Sequence, residues 1–160
     1  MFRQAKVQQN QLRVTRPSGQ GVERPKVLFV CVHNAGRSRM AAAFLNEMAG
    51  DRYAGISAGT SPADHPHPEV VAAMAEIGIE IENIPGTMLT NEMAEEALKL
   101  VSMGCNVEEA CPALRIPMED WALEDPKGQP PEKVAEIRDS IEIRVRNLVA
   151  KLDREMAEQH

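Results

Sequence analysis

Apolar and polar residues alternate along this chain in a way that predicts strands and helices in turn. Short apolar runs bounded by polar residues predict buried strands over 26–31, near Tyr53–Ser57 and within Leu98–Gly104. A fourth strand is predicted within Arg115–Trp121, where Pro117 favours the edge of a sheet because proline cannot donate to a neighbouring strand.

Apolar residues three or four positions apart predict helices between these strands. The first predicted helix covers Arg37–Ala49 and ends at Gly50, which we expect to be a left-handed cap residue. The second opens with Pro68 and Glu69 and ends at Gly78. The other two are a short helix with Thr90 as its N-cap and a long helix over about Pro131–Asp153.

Strands that alternate with helices predict an α/β fold with three layers, in which about four parallel strands carry helices on both faces. Ligands of such sheets bind beyond the carboxyl ends of the strands. Cys31, Cys105 and the segment after Trp121 all follow predicted strands. We therefore expect them to lie along the same edge of the sheet.

The charge divides the chain into two parts. Residues 1–26 hold six Lys or Arg and one acid, a net charge of +5, whereas the remainder has a net charge of −11. Residues 1–25 are polar and rich in glutamine, which predicts a flexible basic extension in front of a domain over 26–155. The basic residues are accompanied by no patterned aromatic or basic face and the body is acidic, so we predict no nucleic-acid partner.

Neither a membrane helix nor a signal peptide is predicted, because the chain has no long apolar run and its N-terminus is polar. We therefore expect a cytoplasmic protein without a membrane partner. The three cysteines, Cys31, Cys105 and Cys111, should be thiols in that reducing compartment. Their odd number indicates reactive or buried thiols in place of a structural disulfide framework.

The segment CVHNAGRS, residues 31–38, joins the first predicted strand to the first predicted helix. Unpaired N–H groups at a helix N-terminus attract anions, and Asn34 and Gly36 tolerate the left-handed conformations that a concave loop needs. Arg37 can donate paired hydrogen bonds to an oxyanion. Cys31 should be a thiolate at this position, with Ser38 as a hydrogen-bond donor to its sulfur. We predict an oxyanion site formed by Val32, His33, Asn34, Ala35, Gly36, Arg37 and Ser38, with Cys31 as the nucleophile.

The same segment and four others resemble the arsenate reductases built on the low-molecular-weight tyrosine phosphatase fold. The other four are SAGT at 57–60, HPHPEVVAAMAEIGI at 65–79, CP at 111–112 and EDWALEDPKG at 119–128. The resemblance extends from Lys26 to about Leu152 and implies a four-stranded parallel sheet, in agreement with the strands predicted above.

The resemblance also implies roles for residues outside the first loop. Asp125, followed by Pro126, matches the general acid that protonates the leaving oxygen. Cys105 and Cys111 match the resolving thiols of the thioredoxin-coupled reductases: Cys105 attacks the Cys31 sulfur and expels arsenite, and Cys111 then attacks Cys105. Some relatives instead use a small thiol or a glutaredoxin-like protein, which leaves thioredoxin or another thiol as the reductant.

Two positions depart from the relatives. Ala42 stands where thioredoxin-coupled relatives carry an acid that helps to hold potassium, which argues against a monovalent cation site. Lys127, Gly128 and Gln129 follow Asp125-Pro126 where the phosphatases carry aromatic residues that grip phosphotyrosine. The phosphatase alternative is weaker for that reason.

No cofactor and no metal are predicted. His65 and His67 have no third ligand nearby, and we assign them to a loop and a helix cap. Trp121 is expected in the core beneath the Asp125 loop. The sequence therefore predicts an arsenate reductase; the alternatives are a low-molecular-weight phosphatase and a non-catalytic oxyanion-binding or redox-sensing module.

Overall fold

The computed structural model describes residues 24–104 and 117–158. Most of the predicted extension 1–25, as well as Cys105 and Cys111, lies outside the described residues. Four strands form the sheet: β1 (Lys26–Cys31), β2 (Ala54–Gly59), β3 (Lys99–Ser102) and β4 (Met118–Asp120). Within the described residues, four helices accompany them: α1 (Arg37–Ala49), α2 (Pro68–Glu76), α3 (Asn91–Glu96) and α4 (Pro131–Glu158).

All strand pairs are parallel, in the order β2-β1-β3-β4. The predicted parallel α/β fold is confirmed, and β4, which follows Pro117, lies at an edge of the sheet as expected. Because β1 occupies an interior position, its carboxyl end lies between those of β2 and β3. The last residue of β1, Cys31, is in register with Gly59 at the end of β2.

Alternate residues of β1 face opposite sides of the sheet, as the two-residue repeat of a strand requires. Val27, Phe29 and Cys31 belong to the larger core with residues of α1, α2 and α4. Leu28 and Val30 belong to a smaller core that includes Ala94 of α3. The layers are therefore unequal, with three helices on one face and a short helix on the other.

Two helix caps behave as predicted. Thr90 Oγ1 accepts a hydrogen bond from Met93 N at 3.1 Å, which makes Thr90 the N-cap of α3. Gly78, beyond the end of α2, has a φ of +81°, the left-handed conformation that glycine adopts without strain.

The expectation for Gly50 was wrong. Its φ is −64° and its ψ is −14°, so it has the right-handed helical conformation. The chain turns immediately afterwards, because the N–H groups of Arg52 and Tyr53 both donate to Ala49 O. Glycine is required there by space, since an added Cβ would collide with the Asn46 carbonyl.

Helix α4 runs five residues beyond its predicted end at Asp153. Tyr53 Oη donates to Asp153 Oδ1 at 2.8 Å, and Met156 packs against the larger core. These contacts attach the last turns of α4 to the start of β2. None of the helices in the described part of the chain is long and apolar enough to cross a membrane.

Candidate active site

The loop between β1 and α1 is held from outside through its carbonyl groups. Each of the six consecutive carbonyls from Cys31 to Gly36 accepts a hydrogen bond, from donors that lie after β2, at the start of α2 or within α1. Their distances are 3.2 Å for Thr60 N to Cys31 O, 2.7 Å for Ser61 N to Val32 O, 2.9 Å for Ala63 N to His33 O, 2.6 Å for Arg39 Nε to Asn34 O, 2.9 Å for His67 N to Ala35 O and 3.0 Å for Met40 N to Gly36 O.

This arrangement leaves the N–H groups of the loop for another ligand. A trans peptide directs its C=O and N–H to opposite sides, so the N–H groups from Val32 to Arg37 point away from these partners. Within 24–104 and 117–158, none of the six donates to another protein group. Residues 32–38, the oxyanion loop, therefore form a concave set of donors at the N-terminus of α1, as an anion site requires.

The sulfur of Cys31 is buried and lies 2.9 Å from Ser38 Oγ. Neighbouring groups orient this hydroxyl. Thr87 N can only donate, and it donates to Asn34 Oδ1 at 2.8 Å, so the amide of Asn34 turns its Nδ2 towards Ser38 Oγ, also at 2.8 Å. The Ser38 hydroxyl accepts that bond and can donate its own proton to the Cys31 sulfur.

Only one of the two residues expected to be left-handed has that conformation. Asn34 has a φ of 49°, but the φ of Gly36 is −144°, so the expectation for Gly36 was wrong. Gly36 allows close packing: an added Cβ would lie 3.1 Å from Pro126 Cγ and 3.2 Å from His67 Cδ2, so these side chains would have to shift. The glycine thus lets the Asp125-Pro126 segment lie against the oxyanion loop.

Arg37 lies at the start of α1, and its side chain is almost completely buried. Nη1 donates to Leu123 O at 3.0 Å, and Nη2 lies 3.9 Å from Asp125 Oδ2. A Cβ added to Gly104 would lie 2.6 Å from Arg37 Nη1. The guanidinium therefore lies between the end of the β3 segment and the segment that contains Asp125.

The Asp125 carboxylate is partly exposed, and Asp125 Oδ1 accepts a hydrogen bond from Lys127 N at 3.0 Å. Gly128, with a φ of +73°, donates from its N–H to Glu69 Oε2 at 2.6 Å. This hydrogen bond holds the pKa of Glu69 below its ordinary value. The loop 123–128 is thus attached to the protein at Arg37 and at Glu69, with Asp125 between the two attachments.

Arg39, two residues after Arg37, points away from the cradle, the set of six N–H groups from Val32 to Arg37. Nε donates to Asn34 O at 2.6 Å, Nη1 to Glu82 O at 3.1 Å and Nη2 to Ile84 O at 2.6 Å. Burial lowers the pKa of Arg39, while the charge of Cys31 acts in the opposite direction. The guanidinium thus joins the oxyanion loop to the irregular segment after α2.

The histidines have the loop and cap positions that the sequence predicts. His67 is the N-cap of α2, and His65 lies in the preceding loop. The rings of His33 and His67 meet edge to face with centroids 6.3 Å apart. Burial lowers the pKa of His67, against the opposing charge of Asp125, so His67 is neutral near pH 7. Among the described residues, no group of three or more His, Cys, Asp or Glu side chains could hold a metal ion.

Trp121 is a core residue, as predicted. It is buried against Phe29, with ring centroids 5.9 Å apart. Its backbone N–H donates to Ser102 O, and its indole N–H donates to Glu119 Oε1 at 2.9 Å. Ala42 is buried as well, in α1, and its carbonyl approaches Gly55 so closely that an added Cβ would lie 2.8 Å away. Its methyl group offers no oxygen ligand to a cation.

The structure joins Cys31 to Ser38 and Arg37 to Asp125. The sequence predicted that Cys31, Cys105 and the segment after Trp121, which contains Asp125, lie along one edge of the sheet. Cys105 and Cys111 fall outside the described residues, but Gly104, directly before Cys105, lies beside Arg37. The sequence interpretation missed the contacts of Arg39 and Glu69. One signal for Arg39 was available, since a second arginine in the first turn of a helix opposes the helix dipole.

Comparisons with known proteins agree with this architecture. The chain is 44% identical over 126 residues to a protein of Halobacterium salinarum that is provisionally named an arsenate reductase, with 75% of this chain and 87% of that protein covered. The thioredoxin-dependent arsenate reductase of Corynebacterium glutamicum superposes with a TM-score of 0.71 at 29% identity, covering 94% of this chain and 73% of that one. The YwlE arginine phosphatase of Geobacillus stearothermophilus superposes with a TM-score of 0.76 at 27% identity, covering 85% and 97%.

A family profile matches most of the chain. It describes the low-molecular-weight phosphotyrosine protein phosphatases and matches residues 26–158, from the first residue of β1 to the last residue of α4. The matched range contains the oxyanion loop and the loop 123–128. The chain therefore belongs to the low-molecular-weight phosphotyrosine protein phosphatase family.

Proposed function

We propose that this chain reduces arsenate to arsenite, with Cys31 as nucleophile, Arg37 and the oxyanion loop as the arsenate site, and Asp125 as general acid. The cradle of six N–H groups around a buried sulfur suits any tetrahedral oxyanion. Reduction, in contrast to hydrolysis, requires electrons from further thiols. The arsenate reductases among the similar proteins support this choice.

The observation that carries the redox assignment is the contact between Gly104 and Arg37. An added Cβ on Gly104 would lie 2.6 Å from Arg37 Nη1, so the residue directly before Cys105 lies against a side chain of the oxyanion site. This contact at Gly104 supports Cys105, the next residue in the sequence, as the first resolving thiol.

The first step forms a bond between sulfur and arsenic. The Cys31 thiolate attacks arsenate, the As–O bond of the leaving oxygen breaks, and Asp125 donates the proton with which that oxygen departs as water. Arg37 and the N–H groups of the loop hold the remaining oxygens and their charge. Arsenic is still pentavalent after this step, and it is bound to Cys31.

Reduction follows when the Cys105 thiolate attacks the Cys31 sulfur. The S–As bond breaks, its electron pair stays on arsenic, and arsenite leaves while a Cys31–Cys105 disulfide forms. The Cys111 thiolate then attacks the Cys105 sulfur and releases Cys31 as a thiolate. The resulting Cys105–Cys111 disulfide receives two electrons from thioredoxin or another dithiol. A reducing compartment such as the cytoplasm would supply such a donor.

A phosphatase is the second candidate, because a thiolate in an oxyanion cradle with a neighbouring carboxylic acid also suffices for phosphate ester hydrolysis. The similarity to an arginine phosphatase favours it. Lys127, Gly128 and Gln129 after Asp125-Pro126 argue against a site for an aromatic phosphoester, because no aromatic side chain is present there to stack on the ring.

Cysteine variants test the proposal with arsenate and thioredoxin, and with small thiols for comparison. Cys31→Ser should lose both arsenite production and any turnover of an aryl phosphate, because a serine hydroxyl is not ionised near neutral pH. Cys105→Ser should lose multiple turnover with thioredoxin but keep weak aryl phosphatase activity. Cys111→Ser should accumulate a Cys31–Cys105 disulfide after one turnover, which peptide mass mapping detects.

Two results would contradict the proposal in different ways. If the wild-type chain hydrolyses an aryl phosphate and produces no arsenite from arsenate, its activity is that of a phosphatase. Wild-type rates of arsenite production in both Cys105→Ser and Cys111→Ser would refute the internal relay, since an external thiol would then resolve Cys31.

A further inference from the structure

Arg39 occupies a position that electrostatics alone does not favour. It lies in the first turn of α1, two residues after Arg37, where the positive end of the helix dipole repels a cation. Its residue exposure is only 8%, so its charge is also largely removed from water. A cation placed under both disadvantages must be compensated by specific contacts.

Three main-chain carbonyls provide the compensation. Arg39 Nε, Nη1 and Nη2 donate to the carbonyls of Asn34, Glu82 and Ile84, at 2.6, 3.1 and 2.6 Å. Within the described residues, none of these three contacts involves an acidic side chain. The guanidinium is thus coordinated as a bound cation would be, by oxygens of the backbone.

The carbonyl of Asn34 is the contact that matters for the oxyanion loop. It belongs to the same peptide plane as the N–H of Ala35, which points to the opposite side, into the cradle. Asn34 has a φ of 49°, in the left-handed region that asparagine enters more readily than most residues but that still costs backbone energy. Without Arg39, this peptide could rotate and turn a carbonyl, in place of an N–H, towards a bound anion.

Asn34 also donates from Nδ2 to the hydroxyl of Ser38, which lies 2.9 Å from the Cys31 sulfur. Thr87 N holds the Asn34 side chain at Oδ1, and Arg39 holds its backbone. Both holding groups involve the segment 82–87, since Arg39 is itself attached to Glu82 and Ile84. The orientation of the loop N–H groups and that of the Ser38 hydroxyl thus both depend on Thr87 and Arg39.

We propose that Arg39 is a positioning residue, a cation tethered to α1 that fixes the Asn34–Ala35 peptide and thereby sets the affinity of the oxyanion loop for its ligand. The inference rests on the proposed function only in taking this loop as the oxyanion site. Arg39 does not touch the oxyanion. It acts through Asn34, on the cradle and on the Ser38 hydroxyl together.

The test uses inorganic phosphate as the probe and the alkylation of Cys31 by iodoacetamide, located by peptide mass mapping, as the readout. Protection of Cys31 by phosphate gives the dissociation constant, and no arsenate reduction is needed. Arg39→Met, which keeps the apolar part of the side chain, should bind phosphate about tenfold more weakly or worse, because charged hydrogen bonds are lost. Alkylation without phosphate should also slow, as the Ser38 hydroxyl loses its orientation.

Arg138→Met is the matched control. Arg138 is also 8% exposed and also donates to a backbone carbonyl, that of Ala73, but it joins α4 to α2 away from the loop. We expect this variant to lose stability and to keep the phosphate affinity of the wild type. Chemical rescue adds a measurement that distinguishes positioning from a purely structural role. Guanidinium, at concentrations too low to unfold the wild type, should restore phosphate affinity to Arg39→Ala and have no effect on Arg138→Ala.

The proposal is overturned if Arg39→Met binds phosphate as tightly as the wild type, or if guanidinium fails to restore Arg39→Ala. Should Arg39→Met not fold, Arg39→Lys decides the matter. An ammonium keeps the charge but cannot donate to three carbonyls at once. Wild-type phosphate affinity in Arg39→Lys would therefore refute the positioning role of Arg39, and reduced affinity would support it. A wild-type chain that does not bind phosphate would instead refute the proposed function.

Discussion

The hydroxyl of Ser38 lies 2.9 Å from the sulfur of Cys31 and accepts a hydrogen bond from Asn34 Nδ2 at 2.8 Å. The amide of Asn34 is itself oriented by Thr87 N, which donates to its Oδ1. The Cys31 sulfur is thus joined through a chain of hydrogen bonds to the backbone of another segment.

Ser38→Ala should slow the reaction of Cys31. The variant removes a hydrogen bond to a charged sulfur, which is worth about 1.5–3 kcal/mol, so we expect a loss of roughly tenfold or more in alkylation by iodoacetamide at neutral pH. Ser61→Ala is the control, because the exposed Ser61 contributes its backbone N–H to the loop and not its hydroxyl. Equal alkylation rates in the two variants would mean that Ser38 does not stabilise the thiolate.

Arg37→Lys should impair turnover severely. An ammonium cannot donate two parallel hydrogen bonds to an oxyanion and cannot keep the contact with Leu123 O at the same time. We expect a loss of about 2–4 kcal/mol in transition-state stabilisation, measured as kcat/KM for arsenate with thioredoxin. Kinetics close to those of the wild type would show that Arg37 does not grip the substrate.

Gly104→Ala should weaken oxyanion binding more than its backbone strain explains. Gly104 has a φ of +81°, and its added Cβ would lie 2.6 Å from Arg37 Nη1, so the guanidinium must move. Gly78→Ala is a close control, because Gly78 has the same φ and open space around it. Both variants should lose roughly 1–2 kcal/mol of stability to strain, but only Gly104→Ala should bind inorganic phosphate more weakly. Equal phosphate affinity in the two would refute the contact with Arg37.

Glu69→Ala should lower kcat by releasing the loop 123–128 from α2. The variant removes the acceptor for Gly128 N and leaves Asp125 attached less firmly near the site. Glu92→Ala is the control, because Glu92 is likewise an acid in the first turn of a helix and is not attached to this loop. A kcat equal to that of Glu92→Ala would contradict this role.

The same contact predicts a dependence on pH. Because the Gly128 N–H holds the pKa of Glu69 below its ordinary value of 4.5, the charged form is favoured in the folded protein. The contribution to stability is therefore complete above pH 4.5 and is lost as the pH falls through the lower, folded value. Wild type and Glu69→Ala should converge in unfolding free energy as the pH is lowered below 4.5, and a constant difference would exclude the effect.

The sequence predicted the strands best where apolar residues are large. The bounds of β1 agree at both ends with the apolar run before Cys31. The bounds of β2 differ from the prediction: the strand was predicted near Tyr53–Ser57 and is observed at Ala54–Gly59. The second half of β2 is Ser-Ala-Gly, which has little intrinsic strand preference. These residues form a strand because they pair with β1. Tyr53, which looks like a strand residue, instead bonds to Asp153 of α4.

The site was predictable where its residues are close in sequence and only partly where they are distant. Cys31, Arg37 and Ser38 fall within one loop, and their order along the chain indicates their chemistry. Gly104, Glu69 and the carbonyl partners of Arg39 are distant in sequence from the loop, and their roles arise only from packing. The two glycine conformations that were wrong, at Gly36 and Gly50, have a related cause: at both positions nearby atoms leave little or no room for a Cβ.

The six outward carbonyls of the oxyanion loop have a consequence for mutational analysis. The groups that we propose to hold the anion are N–H groups, which no ordinary side-chain replacement removes. Proline alone eliminates one, and it also fixes φ. An alanine scan across Val32–Ala35 would therefore pass over most of the binding groups, and Ala35 is already alanine. Amide hydrogen exchange can detect these groups. Their protons have no hydrogen-bond partner within the described residues, so their exchange with solvent should slow when an oxyanion occupies the loop.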